Sequence, residues 1–241
     1  MNVHFGPAGK AESFGNRKSL ELPSYLREFS LNAFEYQCGH GVRISEKTAA
    51  EFGKLMRESG IMVSIHSPYY ISLSSVEKEK REKSVQYILD TAKIAKAMGA
   101  KRIVVHSGSC AKISREQALC FAKETLLLAI KELKNVNLDD ISLCPETMGK
   151  VNQLGNLDEV IELCLVDDSF VPCIDFGHLN ARSFGEIKDK KDYAKILDRM
   201  ENALGKERTK NFHSHFSKIE FTRKGRKKKH LTFDDTEYGP E

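Results

Sequence analysis

The feature that most constrains the fold is a regular alternation of short apolar runs with longer segments of helical periodicity. In one such segment, Val85, Ile88, Ala92 and Ala95 fall on a single helical face. The predicted strands cover residues 3–5, 33–36, 62–66, 102–106, 141–146, 171–175 and 211–216. Strands that alternate with helices in this way pair in parallel, with the helices packed outside them.

Two architectures fit this alternation, a closed barrel and an open, doubly wound sheet. The barrel is favoured because polar residues recur at the ends of many strands rather than beside one crevice. A (β/α)₈ barrel takes about 250 residues, and the chain has 241. We therefore expect an α/β fold, a TIM-type (β/α) barrel, in a single domain over residues 1–241.

The last part of the sequence departs from the alternation. Residues 230–241 are too polar and too few to supply another helix and a closing strand. We therefore predict that the barrel lacks its last βα unit. An unclosed barrel leaves two sheet edges exposed unless a partner covers them.

The cysteines and the apolar runs constrain the compartment. Six cysteines occur without a Cys-x-x-Cys pair, and several lie in apolar runs. This pattern is typical of reduced, buried thiols in a cytosolic protein; disulfides and a four-cysteine zinc site are the alternatives. No apolar run approaches the roughly 18 residues that span a bilayer, and the first residues lack the basic region and apolar core of a signal peptide. We expect a cytoplasmic protein with no membrane partner.

Charge is unevenly distributed along the chain. The net charge is +4, which permits a nucleic-acid partner without arguing strongly for one. Residues 223–229 read Arg-Lys-Gly-Arg-Lys-Lys-Lys. Two interpretations stay open for this basic segment: a solvated loop, or a contact with a phosphate backbone.

Histidines and acids stand at the ends of five successive predicted strands. They are His66, His106, Glu146, Asp175 with His178, and His213 with His215, and His230 follows in the next segment. The carboxyl ends of barrel strands meet at one rim, so these side chains should converge. Imidazoles and carboxylates without thiolates suit zinc, manganese or iron, and a cluster of this size can hold two or three ions.

Each of these residues also has a purely structural interpretation. A histidine at a strand end is often a hydrogen-bonded structural residue, Asp175 could cap a turn, and Glu146 could pair with a basic side chain. Their recurrence after five successive strands favours a shared metal site. His4 and His40 lack this context and stay unassigned.

The motifs between about residue 60 and residue 230 resemble those of the endonuclease IV family (AP endonuclease family 2), within the xylose isomerase-like TIM barrel superfamily. Their order and spacing are specific, although each motif alone is weak. The matching stretches are His66-Ser67-Pro68-Tyr69, Val105-His106-Ser107-Gly108-Ser109, Pro145-Glu146-Thr147, Cys173-Ile174-Asp175-Phe176-Gly177-His178-Leu179 and His213-Ser214-His215-Phe216-Ser217-Lys218.

The resemblance implies a zinc-dependent endonuclease of base-excision repair, which cleaves DNA 5′ to abasic sites at a trinuclear zinc centre. On that basis His66, His106 and Glu146 would hold the first ion. Glu146 would be the catalytic ligand and would bridge to a second ion held by Asp175 and His213, and a third ion would take His178 and His230. Tyr69 and Lys218 would contact DNA, although Tyr69 could also merely pack beside the Pro68 turn.

Two departures from the family pattern weaken the second and third ion sites. The family has an acid two residues before the histidine of the third ion, where this chain has Lys228, and an ammonium repels a cation. The glutamate of the family's last strand has no counterpart visible here. We expect the first ion to persist and the others to bind more weakly, unless Asp234, Asp235 or Glu237 substitutes.

The sequence is compatible with three functions. The leading hypothesis is a zinc phosphodiesterase, expected to be a monomer, that acts on DNA with abasic or otherwise damaged sites. The second is a sugar isomerase or epimerase in which Glu146, Asp175 and His213 hold one ion. The third is a non-catalytic, truncated relative of these enzymes.

Overall fold

A computed structural model describes residues 3–110, 112–222, 227–232 and 234–235. The chain divides into two compact units. The first unit comprises Met1–Tyr70, Val85–Val105 and Ala129–Ser142, and the second comprises Ile71–Ser84, His106–Leu128 and Leu143–Glu241. The single domain over residues 1–241 stays a prediction.

The described residues form an alternating series of helices and strands. The helices are α1 (Leu22–Glu28), α2 (Glu46–Glu58), α3 (Lys78–Met98), α4 (Arg115–Asn135), α5 (Leu157–Cys164), α6 (Phe176–Arg182), α7 (Lys190–Leu204) and α8 (Lys206–Lys210). The strands are β1 (Ala33–Gln37), β2 (Met62–His66), β3 (Arg102–Val105), β4 (Ser142–Pro145), β5 (Cys173–Asp175), β6 (His213–His215), β7 (Lys218–Phe221) and β8 (Lys227–Leu231). Two short 3₁₀ turns precede α1, at Glu12–Phe14 and Ser19–Glu21.

In the first unit, β1, β2 and β3 pair in parallel. Ala33 lies opposite Met62 and Gln37 opposite His66, and Ile65 of β2 lies opposite Ile103 of β3. These pairings confirm the parallel sheet that the alternation predicts. The register aligns the end of β2, where His66 stands, with the end of β1.

Helix α2 packs closely against the end of α3 in the same unit. A Cβ on Gly53 would come within 1.9 Å of the carbonyl oxygen of Met98, so only glycine permits this approach. Ser45 begins α2 by accepting a hydrogen bond from the backbone N–H of Thr48.

In the second unit, β5 and β6 pair in parallel, with Cys173 opposite His213 and Asp175 opposite His215. Glu146, just beyond β4, forms an isolated parallel bridge with Cys173. The end of β4 and the strands β5 and β6 therefore lie side by side. An apolar cluster supports the helices that follow, and it includes Ile161, Ile174, Phe176, Leu179, Ile187 and Met200.

The predicted strand over residues 3–5 is wrong. Val3 and Phe5 are exposed, and the segment lacks strand structure. Its main chain is nonetheless bound, because the Phe5 carbonyl accepts from the N–H groups of Asn32 and Ala33. The segment first meets the sheet at a single bridge, between Ala8 and Glu35.

Strands β7 and β8 form an antiparallel hairpin that the sequence did not predict. Lys218 lies opposite Leu231, and Ile219 opposite His230. Lys227, assigned to a basic loop from the sequence, begins β8, whereas residues 223–226 lie outside the described residues. No further helix or parallel strand follows β8 among the described residues, and residues 236–241 lie outside them.

Two further findings concern the thiols and the helices. All six cysteines are described, and none of them forms a disulfide. Among the described residues, no helix combines the length and the apolar character that crossing a membrane requires.

Candidate metal centre

The centre of the candidate site is the carboxylate of Glu146, which is only 2% exposed. Its Oε2 lies 2.9 Å from Nε2 of His106, and its Oε1 lies 2.9 Å from Nδ1 of His215. Nδ1 of His178 is 3.7 Å from the same Oε1. The strand ends thus bring three imidazoles around one buried acid, as the positions of His106, Glu146 and His178 in the sequence predict.

Asp175 occupies the junction between β5 and α6. It is the N-cap of α6, because its Oδ1 accepts a 2.7 Å hydrogen bond from the backbone N–H of His178. The other oxygen, Oδ2, lies 3.2 Å from Nδ1 of His178. The capping interpretation of Asp175 is therefore correct, and the cap holds the carboxylate beside the other candidate ligands.

His178 is oriented by the main chain. Its Nδ1 lies 2.8 Å from the carbonyl oxygen of Thr147, which can only accept a hydrogen bond. This contact assigns the proton to Nδ1 and leaves the lone pair on Nε2. Histidine ligands of metals are commonly fixed by a carbonyl or carboxylate in this way.

Thr147 ties the ends of β4 and β5 together. Its Oγ1 accepts from the backbone N–H of Asp175 at 2.8 Å and lies 3.3 Å from the Asp175 carbonyl, to which it donates. The residue is fully buried. The relative position of Glu146 and Asp175 is thus set by a hydrogen-bonded framework.

Two groups of three residues in the second unit carry ligand-type atoms. Within each group, these atoms lie within 4.8 Å of one another. One comprises Glu146, Asp175 and His215, and the other comprises Cys173, His213 and His215. Nitrogen and oxygen donors at this spacing fit a zinc, manganese or iron ion. The donor set therefore fits a divalent metal.

A family model described as the xylose isomerase-like TIM barrel matches residues 24–238. The chain belongs to this family. A TIM-barrel fold is therefore established, and the expected fold class is confirmed.

Relatives of this xylose isomerase-like chain include proteins named as endonucleases. An uncharacterised protein of Methanocaldococcus jannaschii is 38% identical over 237 residues, which cover 97% of this chain and 83% of that protein. A probable endonuclease 4 of Mycoplasma pneumoniae is 30% identical over 168 residues, which cover 68% of this chain and 55% of that protein. The chain thus spans about half the length of that endonuclease 4 relative.

Solved structures share the fold of this family member. Endonuclease IV from Thermus thermophilus superposes with a TM-score of 0.59 at 24% identity, over 80% of this chain and 70% of that one. D-Psicose 3-epimerase from Clostridium cellulolyticum superposes with a TM-score of 0.64 at 13% identity, over 84% of this chain and 68% of that one. At these identities the likenesses establish the fold alone.

Within this xylose isomerase-like chain, the two histidines of β6 have different neighbours. His215 contacts Glu146, and the backbone of Asp175 lies opposite its own. His213 lies opposite Cys173, with its ring centroid 5.3 Å from that of His215. The resemblance to the endonuclease IV family predicted His213 as the ligand on this strand. The alternation of side chains in a strand could have added His215, because residues two apart share a face.

His230 lies in β8 near the third predicted ion site. Its ring centroid is 5.7 Å from that of His178, and its Nδ1 is 2.8 Å from Oγ of Ser217. The side chain of Lys228 and the whole of Glu237 lie outside the described residues. Of the predicted substitute acids, Asp234 is exposed.

Lys218 and Asp235 are linked within this second unit. The Nζ of Lys218 donates to the backbone carbonyl of Asp235. An ammonium has three donors, so this bond does not exhaust its capacity to hold an anion.

His66 and Tyr69 belong to the first unit. His66 ends β2, is 4% exposed, and has its Nδ1 2.7 Å from the carbonyl of Ser67. As in His178, this contact assigns the proton to Nδ1 and leaves Nε2 with a lone pair. Tyr69 is half exposed, meets the His66 ring edge-on at 5.1 Å, and donates to Oε1 of Gln37 at 2.7 Å.

Two arginines hold the loop that follows Thr147. Arg182, one turn after His178 on α6, donates from Nη1 to the carbonyl of Lys150 at 2.8 Å. Arg115 donates to the carbonyl of Val151 at 2.8 Å. Burial lowers the pKa of Arg182, although a guanidinium stays charged near neutral pH. Both residues fix the main chain next to the candidate site, and sequence reasoning missed them.

Proposed function

We propose that this protein is a zinc-dependent phosphodiesterase that cleaves DNA at abasic sites. The observation that carries the proposal is the buried carboxylate of Glu146, held 2.9 Å from both His106 and His215 and grouped with Asp175. The similarity to probable endonuclease 4 proteins supports a phosphodiester as the bond that is cleaved.

The proposed ligands follow the family pattern. His66, His106 and Glu146 would hold a first ion, Glu146 with Asp175 and His213 a second, and His178 with His230 a third. The contacts of Glu146 add His215 as a candidate for the second ion. Because the second and third sets are short of acids, we propose two or three zinc ions, with manganese or iron as substitutes.

Bound zinc supplies Lewis-acid polarisation of the phosphate oxygens and neutralises their charge. The chain's own residues supply orientation. The Thr147 carbonyl fixes the ring of His178, and the Thr147 hydroxyl fixes the main chain at Asp175. Glu146 is the proposed catalytic ligand because its two oxygens lie against different imidazoles, which lets one carboxylate serve two ligand groups.

The proposed DNA contacts are Tyr69 and Lys218. The half-exposed ring of Tyr69 is available for stacking on a base. Lys218 would hold a backbone phosphate through the donors that its bond to Asp235 leaves. Phosphate contacts of this kind make the affinity fall with salt concentration.

The proposal is tested with duplex DNA that contains a single abasic site. The zinc-loaded protein should cut the strand 5′ to the lesion, and His106→Ala should abolish the cut. His4→Ala is the matched control, because His4 is exposed and outside the ligand groups of the described residues. Absence of cutting by wild-type protein with two or more zinc ions bound contradicts the proposal.

A sugar epimerase is the second candidate, and one observation favours it. Glu146, Asp175 and His215 form a group that suits a single ion, and the fold also matches sugar epimerases. Metal stoichiometry separates the two: one ion per chain favours the epimerase, and two or three favour the nuclease. Inactivity on both DNA and ketoses would support a non-catalytic relative.

A further inference from the structure

Cys173 is a potential ligand that the carboxylate and imidazole pattern does not include. It is fully buried on β5, two residues before Asp175 and therefore on the same face of the strand. In the parallel pairing of β5 with β6, Cys173 lies opposite His213. The parallel pair β5–β6 thus presents two rungs, one with Cys173 and His213, and the next with Asp175 and His215.

The spacing of the first rung suits a metal ion. Sγ of Cys173 lies 3.9 Å from Nδ1 of His215. A nitrogen of His213 lies within 4.8 Å of this sulfur and of a ring nitrogen of His215. Zinc binds sulfur at about 2.3 Å and imidazole nitrogen at about 2.0 Å in a tetrahedron, so two such ligands stand about 3.5 Å apart. The distance between Sγ of Cys173 and Nδ1 of His215 exceeds this value by only a few tenths of an ångström.

His215 belongs to both ligand groups, and one of its nitrogens lies close to a donor of each group. Its Nδ1 is 2.9 Å from Oε1 of Glu146 and 3.9 Å from Sγ of Cys173. A nitrogen lone pair binds one ion at a time. Occupation of the thiolate group and occupation of the carboxylate group therefore exclude each other as far as His215 is concerned.

The two groups differ in chemical softness. Glu146 and Asp175 offer carboxylate oxygens, which accept manganese as well as zinc, whereas a cysteine thiolate favours zinc and other soft ions over manganese. The nature of the ion should therefore decide which group takes His215.

We propose that the β5–β6 pair holds a soft metal ion through Cys173, His213 and His215, in competition with a harder site at Glu146, Asp175 and His215. The inference rests on the metal centre proposed above. It gives Cys173 the role of a ligand, and it makes the coordination of this protein depend on which ion is supplied.

Cobalt(II) is the probe, because thiolate ligation gives a near-ultraviolet sulfur-to-cobalt charge-transfer band that oxygen and nitrogen ligands do not give. The full-length protein, freed of metal with a chelator, is titrated with cobalt(II) while binding is followed by equilibrium dialysis. We expect the band to rise in step with the bound ion. We expect Cys173→Ser to lose the band and to bind cobalt(II) at least tenfold more weakly.

Cys144→Ser is the matched control. Cys144 is buried on the neighbouring strand β4 and belongs to neither ligand group of the second unit. This variant should keep the band. Manganese(II) gives a second readout: Cys173→Ser should change its affinity less than twofold, because manganese prefers the carboxylate group.

The outcomes separate the two proposals. Cobalt(II) bound tightly to wild-type protein without the charge-transfer band overturns the Cys173 site and leaves the metal centre intact. No tight binding of any of these ions overturns both. A band that persists in Cys173→Ser assigns the thiolate to another cysteine and also overturns the inference. Absence of the band from wild-type protein overturns the inference even if a variant fails to fold.

Discussion

Glu146 and Glu159 are both buried glutamates of the second unit, but they have different kinds of neighbour. The Glu159 carboxylate accepts hydrogen bonds from Nε and Nη2 of Arg115 at 2.6 Å each. It also accepts from the backbone N–H groups of Gly155 and Asn156 at 2.7 and 2.8 Å. Glu146 lies among imidazoles. A guanidinium stays charged at any ordinary pH, whereas an imidazole can be neutral and can bind a metal.

The difference shows in what each carboxylate can do. Burial opposes the charge of Glu159, but the hydrogen bonds from Arg115 and the two N–H groups outweigh it and hold its pKa below the usual value. Such a carboxylate is fully engaged in fixing the start of α5. Glu146 instead joins groups that have the right atoms and spacing for an ion. The partners of a buried acid thus separate a structural role from a chemical one.

The largest expected effect is on stability, from Glu159→Ala. The variant leaves Arg115 without its carboxylate and removes the capping box of α5. We expect the free energy of unfolding to fall by about 3 kcal/mol, as for other buried pairs that lose one partner. Urea denaturation measures it. Glu162→Ala, which breaks a more exposed pair with Lys123, should cost less than about 1 kcal/mol.

The metal content of Glu159→Ala sharpens this comparison. It should equal that of the wild-type protein, because Glu159 is a member of neither ligand group in the second unit. Loss of zinc from this variant, measured by elemental analysis of folded protein, would show that Glu159 contributes to metal binding and would contradict its structural role.

The second prediction concerns Glu146→Gln. The amide keeps the shape of the side chain but removes the negative charge that attracts a cation. Outer-shell changes cost about 10- to 100-fold in metal affinity, and Glu146 is a proposed direct ligand, so we expect zinc affinity to fall at least about 100-fold. Competition with a chromophoric chelator measures the affinity. An unchanged dissociation constant would contradict the role given to this carboxylate.

A smaller effect is expected from Thr147→Val. Loss of the hydroxyl leaves the N–H of Asp175 without its acceptor and loosens the β4–β5 junction. We expect zinc affinity to fall about tenfold. Thr125→Val is the control, since its buried hydroxyl donates to the carbonyls of Leu73 and Phe121. The control should lose stability but keep its zinc affinity.

The smallest effect is a change in the pH dependence of stability. The folded pKa of Glu159 lies below its unfolded value of about 4.3. The unfolded state therefore binds the proton first as the pH falls, so the stability from Glu159 is present above about pH 4.3 and is lost below it. Metal-free Glu159→Gln should show a shallower decline than wild type between pH 6 and pH 3. Urea midpoints measured across this range test it, and parallel curves would refute it.

Much of the fold was accessible from the sequence because its signals are local. The predicted strand over residues 62–66 coincides with β2, and five other predicted strands contain β1 and β3 to β6 apart from end residues. Apolar periodicity depends on neighbours within a few positions, which one sequence displays directly. The strand expected over residues 3–5 failed because its apolar residues are exposed rather than paired.

The β7–β8 hairpin was not predicted because its second strand consists mainly of polar rather than apolar residues. Lys227 and the residues after it are basic and polar, so they lack the alternation that marks a strand. Pairing with β7, through Ile219 and its opposite residue His230, gives them strand structure. Tertiary pairing overrode the local preference of the sequence.

The sequence by itself determined the parallel βα elements and the types of side chain that follow them. His106, Glu146, Asp175 and His178, which it predicts as ligands, lie close together in the structure. Only the tertiary structure decided which side chains share a rung. The register of β5 against β6 sets Asp175 opposite His215 and Cys173 opposite His213. Register is fixed by hydrogen bonds between segments about 40 residues apart in the chain, and no local pattern encodes it. Because of that pairing, His215 and Cys173 are candidate ligands.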